Sequence, residues 1–126
     1  MGYYSEVSIV LHKEDYDKLI SLAKNKLPNF ESGDCLLNDP VKYYKRDGKV
    51  NVYLHWNCIK WYVGYFSEVT LINDFLKEHE HCFIRIGEEL GDFECDLNDD
   101  AFGDVIGVRA EIAVDSYYAE KFTDTP

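Results

Sequence analysis

The sequence contains no apolar run approaching the ~20 residues needed to cross a membrane. Its start, MGYYSEVSIV, lacks the basic stretch of a secretory signal and is interrupted by Ser5, Glu6 and Ser8. The Met-Gly start matches a myristoylation signal only in part, because Glu6 stands where that pattern needs Ser or Thr. We therefore expect a cytoplasmic protein without a membrane span or a lipid anchor.

Close cysteine pairs and the common catalytic motifs are also missing. The four cysteines are far apart in the chain: Cys35, Cys58, Cys82 and Cys95. Without a C-x-x-C pair they lack the usual spacing of zinc ligands, and we expect reduced, mostly buried thiols. There is no G-x-S-x-G, no glycine-rich phosphate loop and no H-E-x-x-H. These absences predict a protein that is not an enzyme, with no metal and no cofactor.

Basic residues are scarce in the last third of the chain. Residues 1–80 hold 12 acidic and ten basic residues, whereas residues 81–126 hold 12 acidic and three basic ones. Most of the net charge of −11 therefore lies in the second segment. Such a field repels nucleic acids and anionic membranes and attracts basic partners. We expect no direct nucleic-acid binding and no membrane contact.

Hydropathy periods divide the first half into three elements. Residues 3–11 alternate as a strand does, and residues 13–27 have apolar side chains at helical spacing. Pro28 helps to end this helix. In residues 41–56, Asp47-Gly48 lies between Val- and Tyr-rich segments, which predicts a hairpin with a tight turn.

The second half predicts a helix and further strands. Ser67 is a candidate N-cap for a helix over residues 68–80. Residues 81–97 are predicted to form a strand, a glycine-flanked turn and a second alternating strand. Residues 105–114 are predicted to form a last strand, with Val108 and Ala110 among its inward side chains and Arg109 outward.

The predicted order is β-α-β-β-α-β followed by one or two C-terminal strands. It favours an α+β fold in which an antiparallel sheet carries two helices on one face, the ferredoxin-like (split βαβ) plan. A chain of 126 residues that is 46% hydrophobic can bury one core. We therefore expect a single domain over residues 1–126, with a loose tail from about residue 119 to 126. Whether it forms a homo-oligomer is left open.

Eight carboxylates crowd the segment FIRIGEELGDFECDLNDDAFGD, residues 83–104. They are Glu88, Glu89, Asp92, Glu94, Asp96, Asp99, Asp100 and Asp104. Same-face residues of a strand lie ~7 Å apart, close to the phosphate spacing along one nucleic-acid strand. Such a row can occupy a basic groove built for phosphates. The alternative is a solvated hairpin whose charges protect a sheet edge.

The same segment resembles a calcium-binding EF-hand loop only in part. Asp96, Asn98 and Asp100 occupy its first three ligand positions. The position that needs glycine holds Ala101, and the position that needs a bidentate glutamate holds Gly107. Because the flanks also favour strands, we expect no calcium site.

A second region interleaves aromatic and basic residues. The candidates for binding a nucleotide-like ligand are Tyr44, Arg46, Lys49, Lys60 and Trp61. Rings beside cations suit base stacking and phosphate contact. The alternative is that the aromatic rings belong to the sheet core, since aromatic residues favour strands.

Three segments resemble small accessory proteins encoded by phages and prophages: MGYYSEVSIVLHKEDYDKL, LHWNCIKWYVGYFSEVTLINDFL and FIRIGEELGDFE. That class includes anti-CRISPR proteins and other inhibitors of bacterial defence. The resemblance implies an inhibitor acting in the host cytoplasm through protein–protein contact. The expected function is therefore an acidic interaction module that imitates nucleic acid and binds the basic surface of a host nuclease or defence complex. The alternative is a protein that binds or sequesters a nucleotide.

Overall fold

The computed structural model describes residues 2–33, 35–108 and 111–126. Its strands are β1 (Ser5–His12), β2 (Lys42–Arg46), β3 (Lys49–Ile59), β4 (His81–Gly87), β5 (Phe93–Asp96), β6 (Ile106–Val108) and β7 (Ile112–Val114). Its helices are α1 (Lys13–Lys26), α2 (Ser67–Lys77), α3 (Asp99–Phe102) and α4 (Ser116–Ala119), and a 3₁₀ turn spans Leu36–Asn38. The expected α+β class is confirmed.

Five strands form one antiparallel sheet in the order β2-β3-β1-β4-β5. The turn between β2 and β3 is the predicted one: Asp47 and Gly48 have φ angles of 53° and 78°, as a tight hairpin turn requires. Its closing pair is Arg46 opposite Lys49. The sheet therefore ends in a basic strand, β2, and an acidic strand, β5.

One face of the sheet packs against α1 and α2. The side chains of β3 alternate between the faces, since Val52, Leu54 and Trp56 face these helices whereas Tyr53 faces the other side. Side chains of both helices complete this first core, together with Leu37. Its buried members include Val7, Ile9, Leu11, Leu19, Ala23, Val52, Leu54, Trp56, Trp61, Ile72 and Phe75.

The opposite face is covered by the C-terminal part of the chain. Phe102 of α3 is fully buried there, a contribution of about 1.5–3 kcal/mol to folding, and its ring stacks on His12 with centroids 4.4 Å apart. Val10, which interrupts the alternation of β1, also belongs to this second core. Its buried members are Val10, Tyr44, Tyr53, Cys82, Ile84, Phe102, Val105, Ile106 and Ile112.

The start of α2 differs slightly from the prediction. Phe66, not Ser67, is the N-cap, because the carbonyl of Phe66 accepts the first helical bond from the amide of Thr70 at 2.9 Å. The side chain of Phe66 forms no capping hydrogen bond. The helix ends at Lys77 rather than near residue 80, since β4 already begins at His81.

The prediction of a single strand over residues 105–114 was wrong. Residues 105–114 contain two short strands, β6 and β7, which pair with each other, with Ile106 opposite Val114 and Val108 opposite Ile112. Val108 is therefore exposed rather than inward, and Arg109 and Ala110 lie outside the described residues. Among the described residues, three strands thus follow β4 instead of one or two. Two four-residue helices, α3 and α4, were not expected because such short segments show no periodicity.

The end of the chain, expected to be loose from about residue 119, contacts the sheet at β2. The backbones of Tyr43 and Thr123 exchange two hydrogen bonds of 2.8 Å. Lys42 also forms an ion pair with Asp124. These contacts place residues 122–124 beside the outer side of β2.

Candidate functional site

The predicted carboxylates lie around β5, the strand at one end of the sheet. Glu94 and Asp96 share its helix-side face, opposite Arg85 and Phe83 of β4. The other carboxylates flank this strand, in the turn before it and in the segment after it. The eight residues, called the acidic patch below, therefore extend from the turn before β5 to just past the end of α3, where Arg46 of β2 lies. They do not form the single evenly spaced row that imitation of a nucleic-acid strand suggests.

Arg85 neutralises part of the patch. Its guanidinium is bidentate to Asp92, with Nη2–Oδ1 at 2.7 Å and Nη1–Oδ2 at 3.3 Å. Its Nε lies 2.6 Å from Oε1 of Glu94, and Nη1 donates to the hydroxyl of Ser5. The hydrogen bonds with Arg85 hold the pKa of Asp92 below its ordinary value, with a smaller contribution from Tyr3.

Tyr3 and Tyr4 tie the N-terminal segment to the acidic turn. The Tyr3 hydroxyl donates to Oδ2 of Asp92 at 2.6 Å and accepts from the amide of Glu89 at 2.8 Å. The amide of Tyr4 donates to Oε1 of Glu88 at 2.6 Å. The sequence offered no signal for these contacts, because Tyr3 and Asp92 are 89 positions apart. They orient three of the eight predicted carboxylate residues.

An exposed aromatic loop adjoins this segment. The hydroxyl of Tyr62 accepts a hydrogen bond from the amide of Tyr3, which links residues 62–66 to the acidic turn. Tyr65 is 86% exposed, and Val63 and Phe66 are also exposed. Exposed aromatic side chains are enriched in protein interfaces.

The remaining carboxylates follow β5. Oδ2 of Asp96 lies 3.1 Å from Nε2 of His81. Asp99 and Asp100 begin α3, where the side chain of Asn98 accepts from the amide of Ala101 and caps the helix. Negative side chains in the first turn suit the helix dipole. Asp104 is exposed beyond the helix. This part of the patch projects into solvent.

The alternative ligand-binding residues do not form one site. Tyr44 is 1% exposed in the second core, where its hydroxyl donates to the carbonyl of Phe102 at 2.8 Å. Trp61 is buried in the first core, on the other side of the sheet, against Trp56. The interpretation of these rings as core is therefore the one that the packing supports.

The predicted bases of that region lie in two places, with Arg46 and Lys49 opposite each other at the hairpin and Lys60 apart from them. Arg46 donates to the carbonyls of Asp100 and Ala101, so it holds α3 in place. The ammonium of Lys60 lies 5.6 Å from the ring centre of Tyr4, near the acidic turn. Lys49 closes the Asp47-Gly48 hairpin. In the described structure, Lys60 and the hairpin bases therefore lie at different places on the surface.

A buried polar cluster has the residue types of a nucleophilic triad. The hydroxyl of Ser8 lies 2.6 Å from Nδ1 of His55, whose Nε2 lies 3.2 Å from Oε2 of Glu6. Ser8 is fully buried, so its hydroxyl cannot reach a substrate. Glu6 also accepts from the amide of Ile112 at 3.1 Å. The cluster therefore anchors β7 to β1 and β3.

The thiols divide into two classes. Cys35 and Cys82 are buried, as expected, and burial raises the pKa of each to about 11. Cys58 and Cys95 are exposed, contrary to the expectation of mostly buried thiols. Cys95 is exposed because β5 lies at the edge of the sheet, where neither of its faces is fully covered.

Searches against protein-family models, curated proteins and solved structures find no match for this chain. In the ranges that the structure describes, no helix combines the length and the apolar character that a membrane crossing requires. Within the same ranges, no three His, Cys, Asp or Glu residues are grouped so that they could hold a metal ion.

Proposed function

We propose that this chain is a non-catalytic interaction module whose acidic patch around β5 binds a basic, nucleic-acid-binding surface of another protein. One observation carries the proposal. Six of the eight carboxylates have no lysine or arginine partner among the described residues, since Arg85 pairs with Asp92 and Glu94 alone. A patch that keeps most of its charge unpaired attracts cations over a Debye length of ~8–10 Å.

The charge exceeds what protection of an edge requires. One or two charges suffice to prevent a short edge strand from pairing with another sheet. Here Arg85 and Tyr3 orient part of a larger cluster, while Asp96, Asp99 and Asp100 extend it beyond the strand. Exposed Tyr65 and Phe66 supply apolar contact area nearby.

The partner class follows from the charge and from the resemblance to phage accessory proteins. A channel lined by Lys and Arg for nucleic acid matches a carboxylate patch, and a host nuclease or defence complex offers such a channel. We therefore propose a phage-type inhibitor that works in the host cytoplasm. We also propose the ferredoxin-like plan for its sheet, supported by the β1-α1-β2-β3-α2-β4 order with β1 between β3 and β4.

The test is a pull-down from host lysate at low and high salt. The wild type is compared with the triple variant Asp96→Asn, Asp99→Asn, Asp100→Asn. A matched control, Glu14→Gln, Glu31→Gln, Asp39→Asn, removes equal charge from exposed positions elsewhere. We expect one basic nucleic-acid-binding protein to be captured by the wild type and the control. It should be lost at high salt and with the triple variant.

Equal capture by the triple variant at low salt would show that the patch is a solvated edge. Circular dichroism of each variant checks that the fold is retained. Because all six substituted side chains are exposed, their replacement should change the unfolding free energy by less than about 0.5 kcal/mol each.

A second candidate function is the binding of a small anionic ligand such as a nucleotide. A cleft of about 420 Å³ beside β2 is lined by Tyr43, Tyr44, Lys45 and Lys121, among other residues. Two lysines in the lining of one cleft suit a ligand that carries phosphate. A thermal shift with one nucleotide of a panel, abolished by Lys45→Gln with Lys121→Gln, would support this function. The acidic triple variant should keep that shift.

A further inference from the structure

We infer that the partner of the acidic patch binds as an extended basic segment that pairs antiparallel with the outer edge of β5 and becomes a sixth strand of the sheet. This inference rests on the proposed function and specifies the mode of binding. It depends on two properties of β5: its unpaired backbone groups and the different character of its two faces.

The unpaired groups follow from the register of β4 and β5. The amide of Gly87 donates to the carbonyl of Asp92 at 2.8 Å, so this pair is hydrogen-bonded. Bonded and non-bonded pairs alternate along an antiparallel ladder. Glu94 and Asp96 therefore direct their backbone groups to β4, as the carbonyl of Asp92 does, whereas Phe93 and Cys95 direct theirs outward. In the described part of the chain, no hydrogen bond reaches these outward groups.

The other edge of the sheet is different. The outward backbone groups of Tyr43 on β2 are already bonded to Thr123. Lys42 and Lys45 also give that edge the opposite charge. The two sheet edges are thus not equivalent: the chain's own C-terminal residues occupy one, and β5 is open to an incoming strand.

The faces of β5 define the side chains of the occupant. Glu94 and Asp96 lie on the helix-side face, and Phe93 and Cys95 lie on the other. Phe93 is 54% exposed, and Leu97, which follows the strand, is 37% exposed. An added strand that alternates basic and apolar residues places its cations beside the carboxylates and its apolar side chains beside Phe93.

Charge selects this occupant over two others. A second copy of β5 would place carboxylates beside carboxylates across the new ladder, which is destabilising. A nucleic acid would bring phosphates to the same surface and be repelled. A basic strand satisfies the outward backbone groups and adds cations beside Asp96, near His81, and beside Glu94, which Arg85 already contacts.

The first probe is a labelled octapeptide of alternating lysine and valine, with fluorescence anisotropy as the readout. In antiparallel register, the valines lie opposite Phe93 and Cys95 and direct their backbone groups to β5. N-methylation of the valines should therefore abolish binding, whereas N-methylation of the lysines should leave it. A block isomer, with the lysines first and the valines last, has equal charge and should bind at least tenfold more weakly.

A variant of the protein tests the same backbone hydrogen bonding by changing β5 instead of the peptide. Cys95→Pro removes one outward N–H without changing any carboxylate, and proline is tolerated on edge strands where that group faces solvent. We expect its affinity for the alternating peptide to fall about tenfold, against an unchanged affinity for the Cys95→Ala control. If Cys95→Pro does not fold, the alternating, block and two N-methylated peptides still test strand addition with the wild-type protein.

The outcomes separate the two proposals. Equal binding of the alternating, block and both N-methylated peptides, weakened by salt, would overturn strand addition and support electrostatic binding by the patch. Any selectivity between the N-methylated peptides other than the expected one would overturn the antiparallel mode. Absence of binding by all four peptides at low salt would overturn both proposals.

Discussion

Arg85 on β4 and Asp92 in the following turn form a bidentate ion pair, with its shorter contact, Nη2–Oδ1, at 2.7 Å. The guanidinium is half-buried between Ser5 and the acidic turn, and its second partner is Glu94. The pair therefore does two things at once. It holds the turn before β5 against β4. It also offsets one negative charge of the patch, which otherwise remains negative.

The ion pair predicts a specific dependence of stability on pH. Because Arg85 lowers the folded-state pKa of Asp92, the pair stabilises the protein above the unfolded-state pKa of about 3.9. This stabilisation is lost as pH falls through the lowered pKa. For Arg85→Gln, the difference in unfolding free energy from the wild type should be present at pH 5–6 and decrease below about pH 4.

Urea denaturation at several pH values measures this difference. Lys18→Gln is a control, because the exposed ammonium of Lys18 lies 3.8 Å from Asp15 and such pairs contribute little. A wild-type advantage over Arg85→Gln that stays constant down to pH 2 would show that Asp92 titrates independently of the guanidinium.

The hydroxyl of Tyr44 is expected to stabilise the fold, so its removal should reduce stability. Its hydroxyl is buried and donates to the carbonyl of Phe102 at 2.8 Å, joining β2 to α3. Burial also raises the pKa of Tyr44, so this donor keeps its proton at neutral pH. Tyr44→Phe should lower the unfolding free energy by about 1–3 kcal/mol, because the carbonyl of Phe102 loses this donor.

Chemical denaturation of Tyr44→Phe beside Tyr117→Phe checks this effect. Tyr117 is 61% exposed, so removal of its hydroxyl should change stability by less than about 0.5 kcal/mol. Equal stability of the two variants would mean that the Tyr44 hydroxyl contributes no bond in solution. Loss of ligand binding by Tyr44→Ala would not identify a ligand contact, since that change also removes core volume.

The backbone after α3 requires glycine at one position. Gly103 has φ 77° and ψ 175°, a region that other residues rarely adopt, and an added Cβ would overlap the Tyr118 hydroxyl. Gly103→Ala should therefore cost about 1–3 kcal/mol of unfolding free energy from backbone strain. Gly107→Ala is the matched control, because an added Cβ there meets no atom within 4 Å. Thermal unfolding of both variants measures this difference. Equal melting temperatures would contradict the predicted backbone strain at position 103.

The central strands and the two longer helices could be predicted because their signals are local. The alternation of β3, the helical period of α1 and the Asp47-Gly48 turn each depend on neighbouring residues. The pairing partners of the site could not be predicted in this way. Tyr3 reaches Asp92 across 89 positions, and no periodicity records such a contact.

Aromatic residues show the same division between local pattern and tertiary context. Aromatic rings in a strand suit either a ligand site or the sheet core, and the sequence left both open for Tyr44. The packing of α3, β6 and β7 on the face opposite α1 and α2 makes Tyr44 and Tyr53 core residues. The acidic patch could be located from composition, whereas its division into paired and unpaired carboxylates required the position of Arg85.

Thiol labelling tests whether the unpaired carboxylates act on their neighbours. Partial burial and then Asp96 and Asp99 raise the pKa of Cys95. Since the thiolate is the reactive form, Asp96→Asn with Asp99→Asn should lower that pKa and speed labelling of Cys95 by an aromatic disulfide reagent at pH 7.5. Exposed Cys58 serves as the internal control and should keep its rate. Mass spectrometry of the labelled peptides distinguishes the two sites. An unchanged labelling rate of Cys95 would mean that solvent screens the carboxylates of Asp96 and Asp99 even from the neighbouring Cys95 thiol. A basic partner would then also gain little binding energy from these carboxylates.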